Sequence, residues 1–390
     1  MTAFAWLVVA ACAAVPLYAF VCYPVLLIAA GALFGRHRPA HSPEHWPPIS
    51  IMLPAYNEEA AIAGTLDRIL ASDYPRDLMQ VIVGSDASTD RTDEIVRSYA
   101  GRGVELFRMP QRSGKTATEN AVRSLLRHDI IVHIDAAVRL HPGALKALVA
   151  ALGDPTVGVA SSRDVSVASV AADANAGERW YVGYEMMLRR FETRVYGIAG
   201  ASGSLFANRK VVQTQLVPTA LSRDFAAPLI AHRQGLRTVS VDCALCSIPR
   251  GASLHEEYRR KVRTMARGLE TLWYHRDLLN PLRHPAFAWI LWSHKLIRWL
   301  VPLAVPVGLA ALAVASRESP AARGLLALAA LAAAAALAGW LLPEDRIPRP
   351  LAVHVYATAS VLAGLQAWGK ALRGERNPLW QPTRRAPVPG

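Results

Sequence analysis

Hydrophobic and polar positions fall into three regimes along this chain. Residues 3–34 contain no charged side chain and are almost entirely apolar. About 20 such residues cross a bilayer as a helix, so this run predicts a membrane anchor, with Pro16 and Pro24 inside it as possible kinks. Between Trp46 and about Pro281 the pattern changes to short β-rich runs alternating with helical stretches. Residues 49–53, 80–85, 104–108 and 130–134 read as strands, and 59–72, 92–99, 117–126 and 142–152 as helices. Strands separated by helices predict βαβ units and a mostly parallel sheet, an α/β class. Three further apolar runs, 299–315, 325–342 and 351–371, predict C-terminal spans. Before them, residues 286–298 mix Trp289, Ile290 and Trp292 with His294, Lys295 and Arg298, which predicts an amphipathic helix lying in the interface.

The expected organisation is therefore an anchor at 1–35, a soluble domain at 46–281, an interfacial helix at 286–298, spans at 299–371 and a basic tail at 372–390. Composition agrees with a membrane protein: 52% of residues are hydrophobic and 19% charged, against about 25% charged in ordinary globular domains. A cleaved signal peptide begins with basic residues. Here Arg36, His37 and Arg38 follow the apolar run instead, so the anchor is retained and the positive-inside rule places the soluble domain in the cytoplasm. One N-terminal and three C-terminal spans would put Lys370, Arg373, Arg376, Arg384 and Arg385 outside, against the same rule, so the span count stays open.

The net charge of +13 suits anionic lipid, phosphate-bearing ligands or nucleic acid. Four cysteines in 390 residues exclude a disulfide scaffold. Cys243-Ala244-Leu245-Cys246 has a zinc-like spacing, but a structural zinc needs four ligands and His255 does not complete the set. A transporter needs ionisable residues within several spans, whereas the C-terminal runs are nearly empty of them apart from His354.

In open α/β sheets ligands bind beyond the C-terminal ends of the strands, which directs attention to four loops. Pro54-Ala55-Tyr56-Asn57-Glu58-Glu59 sets an aromatic ring beside acids, suited to stacking and hydrogen bonding a base, or to a turn and helix cap at Asn57. In Ser85-Asp86-Ala87-Ser88-Thr89-Asp90, Asp86 at a strand end is placed to accept from a base or ribose, and Asp90 to cap the next helix. Arg112-Ser113-Gly114-Lys115-Thr116 resembles part of a P-loop, but Met109 stands where the first glycine of that motif belongs. Lys115 can still meet a phosphate as a point charge. Asp135-Ala136-Ala137 ends the fourth strand with an acid suited to a metal or a ribose, or to a solvated loop. Farther on, Asp224 stands at a helix start. Arg260 and Arg263, three apart on one helix face, are spaced to hold a diphosphate or to face anionic lipid.

The order of these pieces resembles the membrane-embedded family 2 glycosyltransferases, the group that includes cellulose-synthase-like and poly-N-acetylglucosamine-synthase-like enzymes. Gly200-Ala201-Ser202-Gly203, Asp224-Phe225, Arg260-Lys261-Val262-Arg263, Ser293-His294-Lys295 and the tail from Trp380 to Arg385 extend the likeness from Pro48 to about Arg385. The resemblance implies a GT-A (Rossmann-like) domain facing the cytoplasm at the inner or plasma membrane. It also implies a nucleotide-diphosphate sugar donor, usually UDP-linked, a glycan or lipid acceptor, and inversion at the anomeric carbon. It implies that Ala55, Tyr56, Glu58 and Asp86 hold the nucleotide and that Lys115 lies near its phosphates. Asp135 then contacts ribose and a magnesium or manganese ion, Asp224 is the general base, and Arg260 and Arg263 touch the diphosphate. The positive charge is thereby assigned to lipid and diphosphate, not to nucleic acid.

Three departures stand out. Ala137 replaces the second acid or an Asn of the metal motif, although magnesium binds largely through phosphates and water. Arg223 stands where relatives carry another acid, and is expected to pair with Asp224 and weaken it as a base. Thr264 occupies the place of a Trp found in processive synthases, which favours single transfer or short extension. The competing expectation from Ala137 and Arg223 is a catalytically inactive subunit that binds donor or glycan.

Overall fold

The computed structural model describes residues 2–35, 43–167, 176–249, 253–343, 347–375 and 379. Arg36, His37 and Arg38 of the expected cytoplasmic flank, and Arg376, Trp380, Arg384 and Arg385 of the tail, lie outside the described residues.

Among the described residues the middle of the chain is built on one sheet of eight strands: β1 (Ile49–Ala55), β2 (Met79–Ser85), β3 (Val104–Arg108), β4 (Ile130–Ile134), β5 (Arg139–Leu140), β6 (Val157–Val167), β7 (Leu205–Arg209) and β8 (Arg237–Pro249). Their order across the sheet is β3-β2-β1-β4-β7-β6-β8-β5. The four strands expected from the sequence pair in parallel, β3 with β2, β2 with β1 and β1 with β4. Every residue of β1 and β2 is buried, because helices cover both faces, as parallel strands require. Alternate side chains sort to opposite faces. Ile49, Ile51 and Leu53 pack with Ile62, Leu66 and Ile69 on one side, while Met52, Ile82 and Ile131 pack with Val122 and Leu126 on the other.

The second half of the sheet is mixed. β7 runs antiparallel to β4 and to β6, β6 runs parallel to β8, and β5 pairs antiparallel to β8. The reversal at β7 matters for the site: it brings the start of that strand beside the C-terminal end of β4, where the Asp135 amide donates to the Ser204 carbonyl at 2.9 Å.

Four helices are long and apolar enough to cross a membrane: Thr2–Phe34, Pro285–Ala315, Pro320–Leu341 and Leu351–Leu372. They approach closely through small residues; a Cβ added at Gly364 would stand 2.3 Å from Pro302, and one at Gly339 2.5 Å from Val355. Residues 286–298 do not form a separate interfacial helix. They are the first turns of Pro285–Ala315, through a π-helical turn at Trp292–Leu296. The cause is packing. Phe287, Ile290 and Leu291 are buried with Phe225, Leu229, Leu272 and Leu278 of the soluble domain, each worth about 1.5–3 kcal/mol when buried. Part of the expected apolar face meets protein, while Trp292 stays exposed. Cys12, Cys22 and Cys243 are free thiols, and Cys246 is buried on β8.

Candidate active site

The first two loops lock onto each other. Asn57, in the left-handed region at φ 52°, accepts from the Thr89 amide at 2.8 Å, and its own amide donates to Ser88 Oγ at 3.2 Å. The Glu58 amide donates to Thr92 Oγ1 at 2.8 Å. Asp90 accepts from the Thr92 amide at 3.0 Å and the Glu59 amide at 3.1 Å, capping the Thr92–Ser98 helix as expected. Partial burial alone would raise the Asp90 pKa, and these hydrogen bonds outweigh it and lower it below its ordinary value.

Asp86 organises the third loop. Its amide donates to the Ala55 carbonyl at 2.8 Å, and its buried carboxylate accepts from the Ser113 amide at 2.7 Å and the Gly114 amide at 2.8 Å. Gly114 sits at φ 95°, a backbone that suits glycine, and starts the helix Lys115–Val122. Asp86 therefore places Lys115. Arg112 from the same loop lies over the Tyr56 ring, 3.9 Å from its centre, so one face of the ring expected to meet a base carries a guanidinium.

Lys115 joins the remaining pieces. Its ammonium donates to Asp135 Oδ1 at 2.5 Å and to the Gly203 carbonyl at 3.3 Å. Burial alone would lower its pKa, and Asp135, Glu119 and Asp224 outweigh that and raise it. It is a fixed cation. Asp224, in the first turn of the helix Arg223–Arg233, lies over Gly203: a Cβ built there would stand 3.0 Å from Asp224 Oδ2. A side chain at 203 would push that carboxylate by a few tenths of an ångström. Ser222 donates to Asp224 Oδ1, and the Ala201 amide donates to the Asp224 carbonyl at 3.1 Å.

Arg223 does not pair with Asp224. It is buried, and its Nε donates to Glu119 Oε2 at 2.9 Å while Nη2 donates to Asn120. Successive helical residues point about 100° apart, so Arg223 is drawn to the Lys115–Val122 helix while Asp224 faces the cleft. Burial would raise the Glu119 carboxyl, but His133, Arg223 and Lys115 hold it down to about 2.

Arg260 binds Glu257 through both carboxylate oxygens at 2.7 Å. Arg263 lies within electrostatic reach of Asp135; burial lowers its pKa, with Arg260 and Arg267 adding to that, yet a guanidinium stays charged. The structure thus links Ala55 to Asp86, Asp86 to the Gly114 amide just before Lys115, and Lys115 to Asp135 by hydrogen bonds, with Asp224 and Arg263 nearby.

Asp164 and Arg267 carry no sequence signal that the motif order used. Asp164, on β6, takes the Ser202 hydroxyl on both oxygens at 2.7 Å and the Ser162 hydroxyl at 3.0 Å. Burial, with Asp135 nearby, raises its pKa despite Arg189 and the serines. Arg267, four residues after Arg263, donates to Thr116 Oγ1 at 2.9 Å and to the Leu221 carbonyl, clamping the segment that precedes Asp224.

For a divalent cation the protein donors are few. Among the described residues no group of three His, Cys, Asp or Glu side chains converges, and Ala137 offers no side-chain ligand. One carboxylate, Asp135, is open to the cleft with Lys115 on Oδ1. That donor set fits an ion held mainly by phosphates and water.

The glycosyl transferase family 2 profile matches residues 50–213. The chain is 28% identical over 177 residues to a beta-monoglucosyldiacylglycerol synthase of Synechocystis, across 44% of this chain and 36% of that protein. A synthase of the same name from Nostoc is 29% identical over 197 residues, across 48% and 40%. The matched stretch therefore spans well under half of these relatives. Among solved structures, the mannosyltransferase PcManGT of Pyrobaculum calidifontis, in complex with GDP-Man and Mn2+, superposes over 96% of this chain and 99% of that one, with TM-score 0.74 and 24% identity. The likeness carries the fold, membrane-length helices included. Residues 50–213 accordingly belong to the family 2 glycosyl transferases, within a GT-A fold flanked by helices long enough to cross a membrane.

Proposed function

We propose that the chain is an inverting glycosyltransferase that moves a sugar from a nucleotide-diphosphate donor to a glycan or lipid-linked acceptor at the cytoplasmic face of a membrane. One observation carries the proposal: Lys115 donates to Asp135 at 2.5 Å and to the Gly203 carbonyl at 3.3 Å, and Asp224 lies within its electrostatic reach, so close over Gly203 that a Cβ there would stand 3.0 Å from Oδ2. An acid for the donor end, a fixed cation and an acid for the acceptor end thus stand in sequence.

Inversion by direct displacement needs one base. Asp224 takes the proton of the acceptor hydroxyl, the acceptor oxygen bonds to the anomeric carbon, and the bond from that carbon to the diphosphate breaks with its electron pair leaving on phosphate. Lys115 and Arg263 receive the growing charge in a partly buried site, where fixed cations act most strongly. Asp135 would hold magnesium or manganese, which supplies further positive charge to the diphosphate. Asp86 positions the loop at the donor end, beside Ala55, Tyr56 and Glu58. The relatives named for diacylglycerol glycolipids and the four apolar helices support a lipid-side acceptor. The sequence favours UDP, and the archaeal structure of the same fold carries GDP-Man, so donors of both bases belong in the test.

That test is nucleotide release by the full chain in nanodiscs, with UDP- and GDP-sugars and Mn2+, beside Asp224→Asn. Release that falls about 10²–10⁴-fold in the variant, with donor binding retained, is the expected result. Donor binding without turnover in the wild type would instead make the chain a binding subunit.

A further inference from the structure

Lys295 carries an ammonium that neither the fold nor the proposed transfer uses. It lies in the π turn Trp292–Leu296 of the helix Pro285–Ala315. Gly200 is beside it: a Cβ built there would stand 3.1 Å from both Cε and Nζ of Lys295. Nζ is 5.7 Å from the centre of the Phe225 ring. Among the described residues no hydrogen bond or ion pair reaches this ammonium.

Most of the surrounding charge is hydrogen-bonded elsewhere. Glu185 Oε1 takes Arg189 Nε at 3.2 Å and His294 Nε2 at 2.9 Å, and Oε2 takes Arg298 Nη1 at 2.9 Å. Glu192 Oε1 takes Tyr23 OH and His294 Nδ1, both at 2.6 Å, while its Oε2 has no hydrogen-bond partner among the described residues. Lys295 feels Glu185 and Glu192 as well as Arg189 and Arg298, and hydrogen-bonds to none of them. A largely desolvated cation without a hydrogen-bonded anion attracts one strongly.

Its position indicates which anion. The Gly200–Gly203 segment has a lysine at each end, Lys115 at Gly203 and Lys295 at Gly200, and Asp224-Phe225 runs alongside. Lys115 stands with Asp135 at the donor end. Lys295 stands beside Phe225 on the helix Pro285–Ala315, which is long and apolar enough to cross a membrane. We infer that Lys295 receives a phosphate monoester on a lipid acceptor and so presents the acceptor oxygen to Asp224, an inference that depends on the donor site proposed at Lys115 and Asp135.

The test is calorimetric binding to the full chain in phosphatidylcholine nanodiscs. The probes are lysophosphatidic acid, monoacylglycerol with the same acyl chain, and inorganic phosphate. Wild type is expected to bind the phosphate-bearing lipid at least tenfold tighter than the neutral one. Lys295→Met is expected to bind the two equally and Lys295→Arg to keep the preference, with UDP or GDP plus Mn2+ bound equally by all three proteins. A wild type without preference, a Met variant that keeps it, or an Arg variant that loses it with Met would overturn the assignment. So would displacement of the lipid by nucleotide or by inorganic phosphate, which would place the anion in the donor pocket. Failure of wild type to bind any nucleotide would instead sink the donor site and is read separately from the lipid preference.

Discussion

Arg223 and Asp224 are adjacent in the chain and serve different walls of the cleft: Arg223 is buried against Glu119 at 2.9 Å, while Asp224 overlies Gly203. The substitution that made the chain look catalytically compromised therefore leaves the acid unpaired with its neighbour. It braces the helix from which that acid projects.

Removing one partner of a buried pair leaves the other charge unmatched, at a cost of about 3–5 kcal/mol. Arg223→Met should lower the thermal midpoint in nanodiscs markedly, and Arg223→Met with Glu119→Leu should recover part of the loss. Equal midpoints for Arg223→Met and wild type would show the pair to be dispensable.

The same pair makes a pH signature. Glu119 is held at about 2 in the folded chain, below its ordinary 4.5, so its contribution is complete above pH 4.5 and disappears as pH falls from there toward 2. The thermal midpoint should fall across that window more steeply in wild type than in Glu119→Gln. Parallel curves would assign the acid sensitivity to other carboxylates.

Gly203 lies beneath the Asp224 carboxylate. Gly203→Ala would press a methyl against Asp224 Oδ2 and push the carboxylate by a few tenths of an ångström. A misplacement near 1 Å costs on the order of 10²-fold in rate, so this smaller shift should cost turnover less than that while nucleotide affinity is kept. Unchanged turnover would show that the carboxylate gives way freely; loss of both together would mean that the loop has collapsed.

Lys115→Met should weaken nucleotide binding by about 1.5–3 kcal/mol, the worth of hydrogen bonds to a charged group. Lys115→Arg should not restore it, because a planar fork does not replace a point charge between Asp135 and the Gly203 carbonyl. Titration of UDP and GDP with Mn2+ reads both variants.

The parallel half of the sheet was legible because β1, β2 and β4 are short apolar runs bounded by polar turns, and because each ligand loop follows a strand directly. What escaped came from pairing distant in sequence. Nothing local in Leu205–Arg209 says that it reverses beside Ile134, yet that pairing brings Gly203 and Ser202 to Asp135 and Asp164. Residues 286–298 pose a related problem. Amphipathicity reveals an apolar face, not how much of it Phe225 and Leu229 will cover. Arg223 was misassigned because adjacency in a helix is not contact.

The continuity of Pro285–Ala315 has a mechanical consequence. One helix closes the core beneath Phe225 and goes on as a membrane-length segment. With that segment in the bilayer, the height of the Asp224 carboxylate above the lipid is set through one continuous helix. A thicker or thinner bilayer then has to deform around the protein or tilt that helix. Acyl-chain length in the host membrane becomes a control on reach toward the acceptor.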